Sequence, residues 1–520
     1  MHCEEACGHF AQTPCPDTLP RFVMPPSQPA GDPPPKTHRE IRSTIFGLMM
    51  AMMLAALDQT IVATAMPTIG RDLGDFQNLP WIITAYLIAA TAVVPLYGRL
   101  ADTHGRHVTM LSAICIFVLG SVVSALAPSV ATLAVGRAIQ GLGGGGLVAL
   151  AQTIIADVVP PKERGRYQVY IASVFAASGV AGPVLGGFIA EHLHWSAIFW
   201  INIPAGAAAL FMTNSVLRRM PRVHRRRRMD FAGAGLMVAA TTTLLLALNW
   251  GGVRLPWSSP VIMALLVTSA MIWLLFVARI RTAAEPLIPH ELLRNSVVVL
   301  GITSAGLGMG TFMGLTFFVP IYLELVVGLS ASQSGIALIP LLVGTVSGAI
   351  TSGHVMARVR HYKRLPMMGL ALSTMALATL TLFPQGLPLW ALEIMFAVAS
   401  FGVGTSFPVT TVAIQNAVLM HMMGSATATM HFFRQLSGAL VIAGFGAIVL
   451  GSGVVVGRGA GTAVTAGASA GLIASFQWVF FAAACGVALA LCAFVMMKEL
   501  PLRDRVSTGP APSTAPAAGD

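Results

Sequence analysis

The sequence predicts an all-α integral membrane protein with fourteen transmembrane helices, and three observations carry that expectation. Of 520 residues, 55% are hydrophobic and only 10% charged, with a mean hydropathy of +0.77. That is more apolar surface than one soluble core buries, so most of the solvent must be lipid. The apolar residues fall in recurrent runs of about 20 residues, the length a helix needs to cross the hydrocarbon and about twice that of a membrane β-strand. Finally, the basic residues sort cleanly between alternate connections.

Apolar runs bounded by charge, Pro or Gly place the first seven spans at 45–66, 80–97, 108–127, 131–153, 168–190, 196–216 and 231–249. The second seven fall at 260–279, 298–322, 331–356, 365–383, 388–412, 428–450 and 471–497. The Gly/Ala/Val stretch 451–470 carries Arg458 and many glycines of low helix propensity and reads as an external loop. Residues 1–42, rich in Pro and without a signal-length apolar run, and 501–520, rich in Pro and Ala, read as disordered cytoplasmic tails.

With an even number of spans both tails lie on one side. The even-numbered connections hold Arg99, Arg106, Lys162, Arg164, Arg166, Arg218, Arg219, Arg225 to Arg228, Arg279, Arg281, Arg358, Arg360, Lys363 and Arg364, while the odd-numbered ones hold Arg71, Arg254 and Arg458. The positive-inside rule therefore places both termini in the cytoplasm. A missed or invented span would invert every later loop and blur this asymmetry, which stays sharp to the C-terminus. The net charge of +11 is thus a topology signal, and the run His224 to Arg228 is a determinant facing anionic lipid headgroups, with no nucleic-acid partner expected. Cys3, Cys7, Cys15, Cys115, Cys485 and Cys492 show neither a zinc spacing nor a disulfide framework, though the spacing leaves a Cys3/Cys7 contact open, and the Met clusters read as adaptable packing, so no metal or cofactor is expected.

After the second span the chain reads GRLADTHGR, with Gly98, Asp102, Gly105 and Arg106. Two glycines permit a tight turn and a close approach of helix ends, and a carboxylate and a guanidinium can form charge-assisted bonds there. An ordinary charged loop would look the same. The pattern Gly-x-x-x-Asp-x-x-Gly-Arg, with His107 where a second strong base is usual, resembles the signature of the major facilitator superfamily. Four further segments are similar in order and placement to its fourteen-span drug:proton antiporters. They are LDQTIVATAMP (Leu57 to Pro67), RAIQGLGGG in span four, GVAGPVLGG (Gly179 to Gly187) in span five, and WSAIFWINIP (Trp195 to Pro204).

The resemblance covers chiefly the first 200 residues. It implies a six-helix bundle over 43–216, two extra helices in a linker over 217–281, and a second six-helix bundle over 282–500, facing each other across a central cavity. It also implies a cytoplasmic gate at Gly98, Asp102, Gly105 and Arg106. The antiporter motif, Gly179, Gly182, Pro183, Gly186 and Gly187, would be a tight seal between the bundles. Close packing of small residues at three- and four-residue spacing is the plainer reading of the same motif. Gln59, Gln140 and Asn202 are the polar candidates for the cavity wall.

Asp58 and Arg137 stand apart, because an ionisable group within hydrocarbon costs roughly 2.5–3.5 kcal/mol on insertion scales and must face protein or water. Asp58 is the candidate proton carrier and Arg137 its electrostatic modulator; a static ion pair between spans one and four is the alternative. Arg137 reads as the strong base set deep in the hydrocarbon. Glu324 reads as a solvated carboxylate at the outer end of span nine, and Glu393, just inside span twelve near Trp390, as one that reaches the external water, with a transport role as the alternative.

No Ser/His/Asp set, His-Glu-x-x-His motif or phosphate-cradling lysine loop is present, so an enzyme is not expected, and without an ATP-binding segment transport must draw on an ion gradient. The resemblance implies proton-coupled efflux of drugs or other amphipathic molecules by alternating access, an antibiotic-resistance type of function, in a bacterial inner membrane. The expected partners are a small-molecule substrate, protons and the bilayer, with a periplasmic adaptor if the source is Gram-negative. A nutrient or metal-chelate importer of the same fold is the alternative, and counterflow separates the two. The topology makes the first prediction. Cysteines introduced at Ser258 and Gly459 should react with an impermeant thiol reagent from outside, and one at His224 should not; opposite labelling would overturn the fourteen-span arrangement.

Overall fold

The structure is a computed structural model that describes residues 38–75, 78–218, 229–359, 361–451 and 466–502. The basic run at His224, the site Gly459 and most of both tails lie outside these residues. Fourteen described helices are long and apolar enough to cross a membrane. They are α1 (Thr44–Leu73), α2 (Pro80–His104), α3 (Arg106–Ala125), α4 (Val130–Val158), α5 (Pro161–His192), α6 (Ala197–Ser215) and α7 (Phe231–Trp250). The second seven are α8 (Pro260–Thr282), α9 (Ser296–Leu325), α10 (Gln333–Met356), α11 (Arg364–Leu382), α12 (Leu389–Asn416), α13 (Met420–Val449) and α14 (Gly471–Met496). Among the described residues there is no β-strand, only one isolated bridge between Gly251 and Leu255.

Each span stands where its apolar run predicts it, and the differences are at the ends. Helices α2, α4 and α5 run beyond the expected limits, to His104 and Val158 and back to Pro161, because a backbone ladder continues after the hydropathy falls. Pro161 fits the first turn of α5, where its missing N–H is not needed. The largest shift is in α13, expected from 428 and starting at Met420. Its first turns, including Ser425, Thr427 and Thr429, are buried in protein. Polar side chains there meet helices and not lipid, so they do not end the span.

Helices α1–α6 enclose one apolar core, with Leu48, Met52, Tyr86, Phe117 and Leu150 at its centre. Helices α9–α14 enclose another around Phe318, Tyr322, Phe396, Phe476 and Phe480, where the Tyr322 hydroxyl reaches the Pro384 carbonyl at 2.7 Å. The two extra helices form a hairpin beside them. Asp230 caps the first turn of α7 through the Gly233 N–H (3.0 Å) and pairs with Arg279 of α8 at 3.0 Å. Trp81 of α2 meets Trp250 of α7 edge-on at 5.8 Å, and Trp273 of α8 lies 6.2 Å from Phe432 of α13. Only 17% of the apolar window of α8 is buried, so most of it is left to lipid.

Helix α4 is the opposite extreme, with 78% of its window buried. Lipid tails are as apolar as leucine, so helices associate through close packing and not through hydrophobic burial. The run from Gly141 to Gly146 provides that contact: a Cβ at Gly141 or Gly145 would strike the carbonyls of Tyr86 and Ala90 on α2, and one at Gly143 the backbone of Phe117 on α3. Overpacking of this kind typically costs about 1–3 kcal/mol. Gly145→Val should therefore lower the detergent-solubilised melting temperature and the monodisperse yield, whereas Gly235→Ala, in open space on α7, should leave both unchanged.

Candidate functional site

Four helices of the first bundle converge on one carboxylate. Asp58, about midway along α1, is completely buried, as are Ser121 of α3 and Gln140 of α4, with Arg137 of α4 at 2% exposure. Arg137 and Gln140, three residues apart, share a face of α4. Arg137 Nη1 donates to Asp58 Oδ2 at 2.5 Å, while Gln140 Nε2 and Asn202 Nδ2 of α6 donate to Oδ1 at 2.8 and 2.9 Å. Arg137 Nη1 also meets Gln140 Oε1 at 2.7 Å, and Arg137 Nε donates to the Ile82 carbonyl at 3.3 Å. The Ser121 hydroxyl accepts from Gln140 Nε2 (2.7 Å) and Asn202 Nδ2 (3.3 Å). The guanidinium stacks 4.3 Å from the Tyr86 ring centroid, a cation–π contact in a site without water's screening.

Gln59 is the one of the three expected cavity residues that lines the cleft between the bundles, a space of about 30 Å³ also walled by Gly144, Val148, Phe175, His431 and Gln435. Gln140 and Asn202 do not line it. Their amides turn inward because the carboxylate's lone pairs have no other donors there. Removing one member of a buried ion pair generally costs about 3–5 kcal/mol, since the other charge is left uncompensated.

The second cluster lies at the end of the molecule that carries the basic loops. Asp102, at the end of α2, reaches across to the other bundle and caps the start of α13: Gly424 N donates to Oδ1 at 3.0 Å, and Ser425 N and Oγ donate to Oδ2 at 2.7 Å. A carboxylate there meets both free N–H groups and the positive end of the helix dipole. Arg106 of α3 pairs with Asp102 at 2.6 Å and Asp157 of α4 at 2.8 Å, and its Nη2 donates to the Met420 carbonyl at 3.4 Å. The two glycines act differently. Gly98 lies against Gly424 and Ala428 where a Cβ would not fit, while Gly105 has open space but takes φ +92°, which disfavours a side chain. His107 bonds Asn214 of α6 at 2.9 Å, within its own bundle.

The antiporter motif does not form the expected seal between the bundles. Gly182 and Gly186 pack on Thr60, Ile61 and Thr64 of α1, while Gly179 and Gly187 meet nothing within 4 Å and Pro183 is exposed. Helix α5 meets the other bundle nearer its start, where Gly165 and Gly353 of α10 abut backbone to backbone. The hydrogen bonds joining the bundles run from that basic-loop end to the middle, through Gln415 to the Gln152 carbonyl (3.4 Å), His431 to Gln152 (3.0 Å) and Thr91 to Gln435 (2.8 Å). The molecule is thus closed at the basic-loop end. Glu324 is exposed at the end of α9 and Glu393 is half-buried in α12.

Arg137 is not alone in mid-membrane: Arg434 lies about midway along α13, buried beside Thr410 and Thr411 of α12. In a span expected from 428 Arg434 lies within two turns of the start, and the earlier start at Met420 sets it mid-helix. Asp157, read as beyond span four, lies inside α4 for the same reason. Among the described residues no group of three or more metal-ligating side chains occurs.

Such a scaffold, two helix bundles with an ion-pair cluster clamping one end and a charged cage in one bundle, defines a polytopic membrane protein. The family model described as Major Facilitator Superfamily matches residues 48–442, and the chain belongs to that family. It is 33% identical over 406 residues to Multidrug resistance protein 3 of Bacillus subtilis, covering 78% of each chain. An uncharacterised MFS-type transporter of Mycobacterium tuberculosis is 34% identical over 429 residues, 82% of this chain, which spans 62% of that relative's length. A bacterial homologue of the iron transporter ferroportin, solved in an outward-facing state, shares the fold with TM-score 0.62 at 11% identity, over 88% of this chain and 99% of that one. The proton:xylose symporter XylE does so with TM-score 0.59 at 16% identity, over 88% and 96%.

The gate geometry predicts that Asp102→Asn, which weakens the pairing with Arg106 and the dipole contact, and Gly105→Val, strained at its positive φ, insert normally. Each should lower transport about tenfold or more at equal expression. Normal transport by both variants would reduce the cluster to a connector.

Proposed function

We propose that this protein is a proton-coupled exporter of amphipathic small molecules that works by alternating access, with both termini cytoplasmic in a bacterial inner membrane. The observation that carries the proposal is the Asp58–Arg137 cage, the buried ion pair bridging α1 and α4. Protonation of Asp58 cancels its charge and releases Arg137 from its counter-ion; loss of the proton restores the pair and the set of Gln140 and Asn202 donors. A carboxyl that exchanges a proton in this way gives α1 and α4 two packing states, one for each charge state. Relatives named for multidrug resistance and multidrug transport support efflux as the direction. The cleft of about 30 Å³ has room for only a few waters. In the proposal it widens when the Asp102 clamp opens and the bundles part. Each proton moving down 100 mV supplies roughly 2.3 kcal/mol, about a fiftyfold gradient of a neutral compound.

Substrate-induced proton release from proteoliposomes, screened with lipophilic cations, neutral antibiotics and organic acids, tests the reading. Asp58→Asn should abolish proton release and gradient-driven efflux while a neutral compound still binds, and Arg137→Lys should keep partial activity at best because it loses the planar fork. The double variant Asp58→Asn/Arg137→Gln removes both charges. It should recover the stability that either single change costs, yet remain uncoupled. Wild-type proton release by Asp58→Asn, or by the double variant, would make the cage a static pair.

A further inference from the structure

Buried Arg434 forms no ion pair among the described residues. Arg434 is 8% exposed, and its hydrogen-bond partners among the described residues are neutral and all on one nitrogen: Nη2 donates to the Phe407 carbonyl at 3.2 Å, to Thr410 Oγ1 at 3.0 Å and to Thr411 Oγ1 at 3.2 Å. Its Nε is buried with no acceptor, and the guanidinium lies 5.3 Å from the Phe407 ring. Among the described residues no carboxylate forms an ion pair with it, whereas Arg137 has Asp58 and Arg106 has both Asp102 and Asp157. Holding two helices together asks only for a neutral donor, so the charge itself is left unexplained. An arginine stays ionised in a protein, and a buried guanidinium without an anion is a costly arrangement unless an anion visits it.

The surroundings say where that anion would come from. Arg434 shares one turn of α13 with His431 and Gln435, which both line the cleft between the bundles. The rest of that wall is Gln59, Phe175 and small or aliphatic residues, with no carboxylate. Such a wall can hold an apolar body and has nothing to match a cation, while Arg434 stands beside it as the uncompensated positive charge. His431 and Gln435 are tied to Gln152 and Thr91 of the other bundle, so parting the bundles uncovers this turn.

We propose that Arg434 is the subsite for the carboxylate of an amphipathic organic acid, and that such acids, more than lipophilic cations, are the favoured substrates of the cleft. This rests on reading the chain as an exporter of amphipathic compounds. The test uses three fluorescent probes with one apolar body: dansylglycine (an anion), dansylamide (neutral) and a dansyl quaternary ammonium (a cation). Each is titrated into the purified full chain in nanodiscs and followed for efflux from proteoliposomes. Wild type should bind dansylglycine about tenfold or more tightly than the amide, as charge-assisted bonds to guanidinium require, and the cation most weakly. Arg434→Gln should lower the anion-to-amide affinity ratio about tenfold, with Arg434→Lys between the two. Equal binding of the three probes, preference for the cation, or an unchanged ratio in Arg434→Gln overturns the subsite and leaves the exporter reading standing. Should Arg434→Gln fail to insert, the wild-type order and the Arg434→Lys ratio decide. Absence of binding and transport for all three probes overturns the exporter reading and the subsite with it.

Discussion

A bilayer interior offers no water to a polar atom, and the rest of this structure depends on how that demand is met around Asp58. A carboxylate in hydrocarbon must find its donors within the protein. Here they come from two different helices, with Ser121 of a third holding both amides in place. Meeting the demand fixes the rotation of α1, α4 and α6 about their axes. None of them can turn without leaving a lone pair or an N–H unmet. The apolar core around Tyr86 and Phe117 then packs a geometry that polar bonds have already specified.

The cage and the cluster at the basic-loop end each take a member from α4. Arg137 and Asp157 are both on α4, at opposite ends of its buried length, and 20 residues of α-helix span about 30 Å. The glycine run between them holds that helix backbone to backbone against α2, which itself ends in Asp102. In the proposed cycle, a shift of α4 relative to α1 at the cage would be carried by these two helices to the residues that clamp α13. Small residues set this arrangement as much as charge does, because only they let helix axes approach closely in lipid. The same principle governs Gly98 on Gly424 and Gly165 on Gly353 at the closed end.

Charge in the two bundles is distributed unequally. In the first, Arg137 is paired with Asp58, and Arg106 with Asp102 and Asp157. In the second, Arg434 has only neutral partners and a cleft beside it. A complete pair and an incomplete one are two different kinds of site; in the proposed reading the first serves the coupling proton and the second a charged ligand group.

The sequence by itself determined the spans, their number and the family. Hydropathy acts along the chain at a fixed length of about 20 residues, and each helix satisfies its own backbone, so neither needs tertiary information. It also singled out Asp58 and Arg137, because a charge within an apolar run is anomalous wherever the run packs. Only the tertiary structure decided what depends on which face a residue presents and what stands opposite it. Gln140 and Asn202 turned to the carboxylate and away from the cavity, and Gly182 and Gly186 to α1 and away from the second bundle. Asp102 became the cap of a helix more than three hundred residues away, its Oδ2 bonded to Ser425, 323 positions along the chain. Arg434 was hidden because the buried, polar first turns of α13 read as a loop; burial among other helices replaces lipid as their solvent, and local composition carries no record of that exchange.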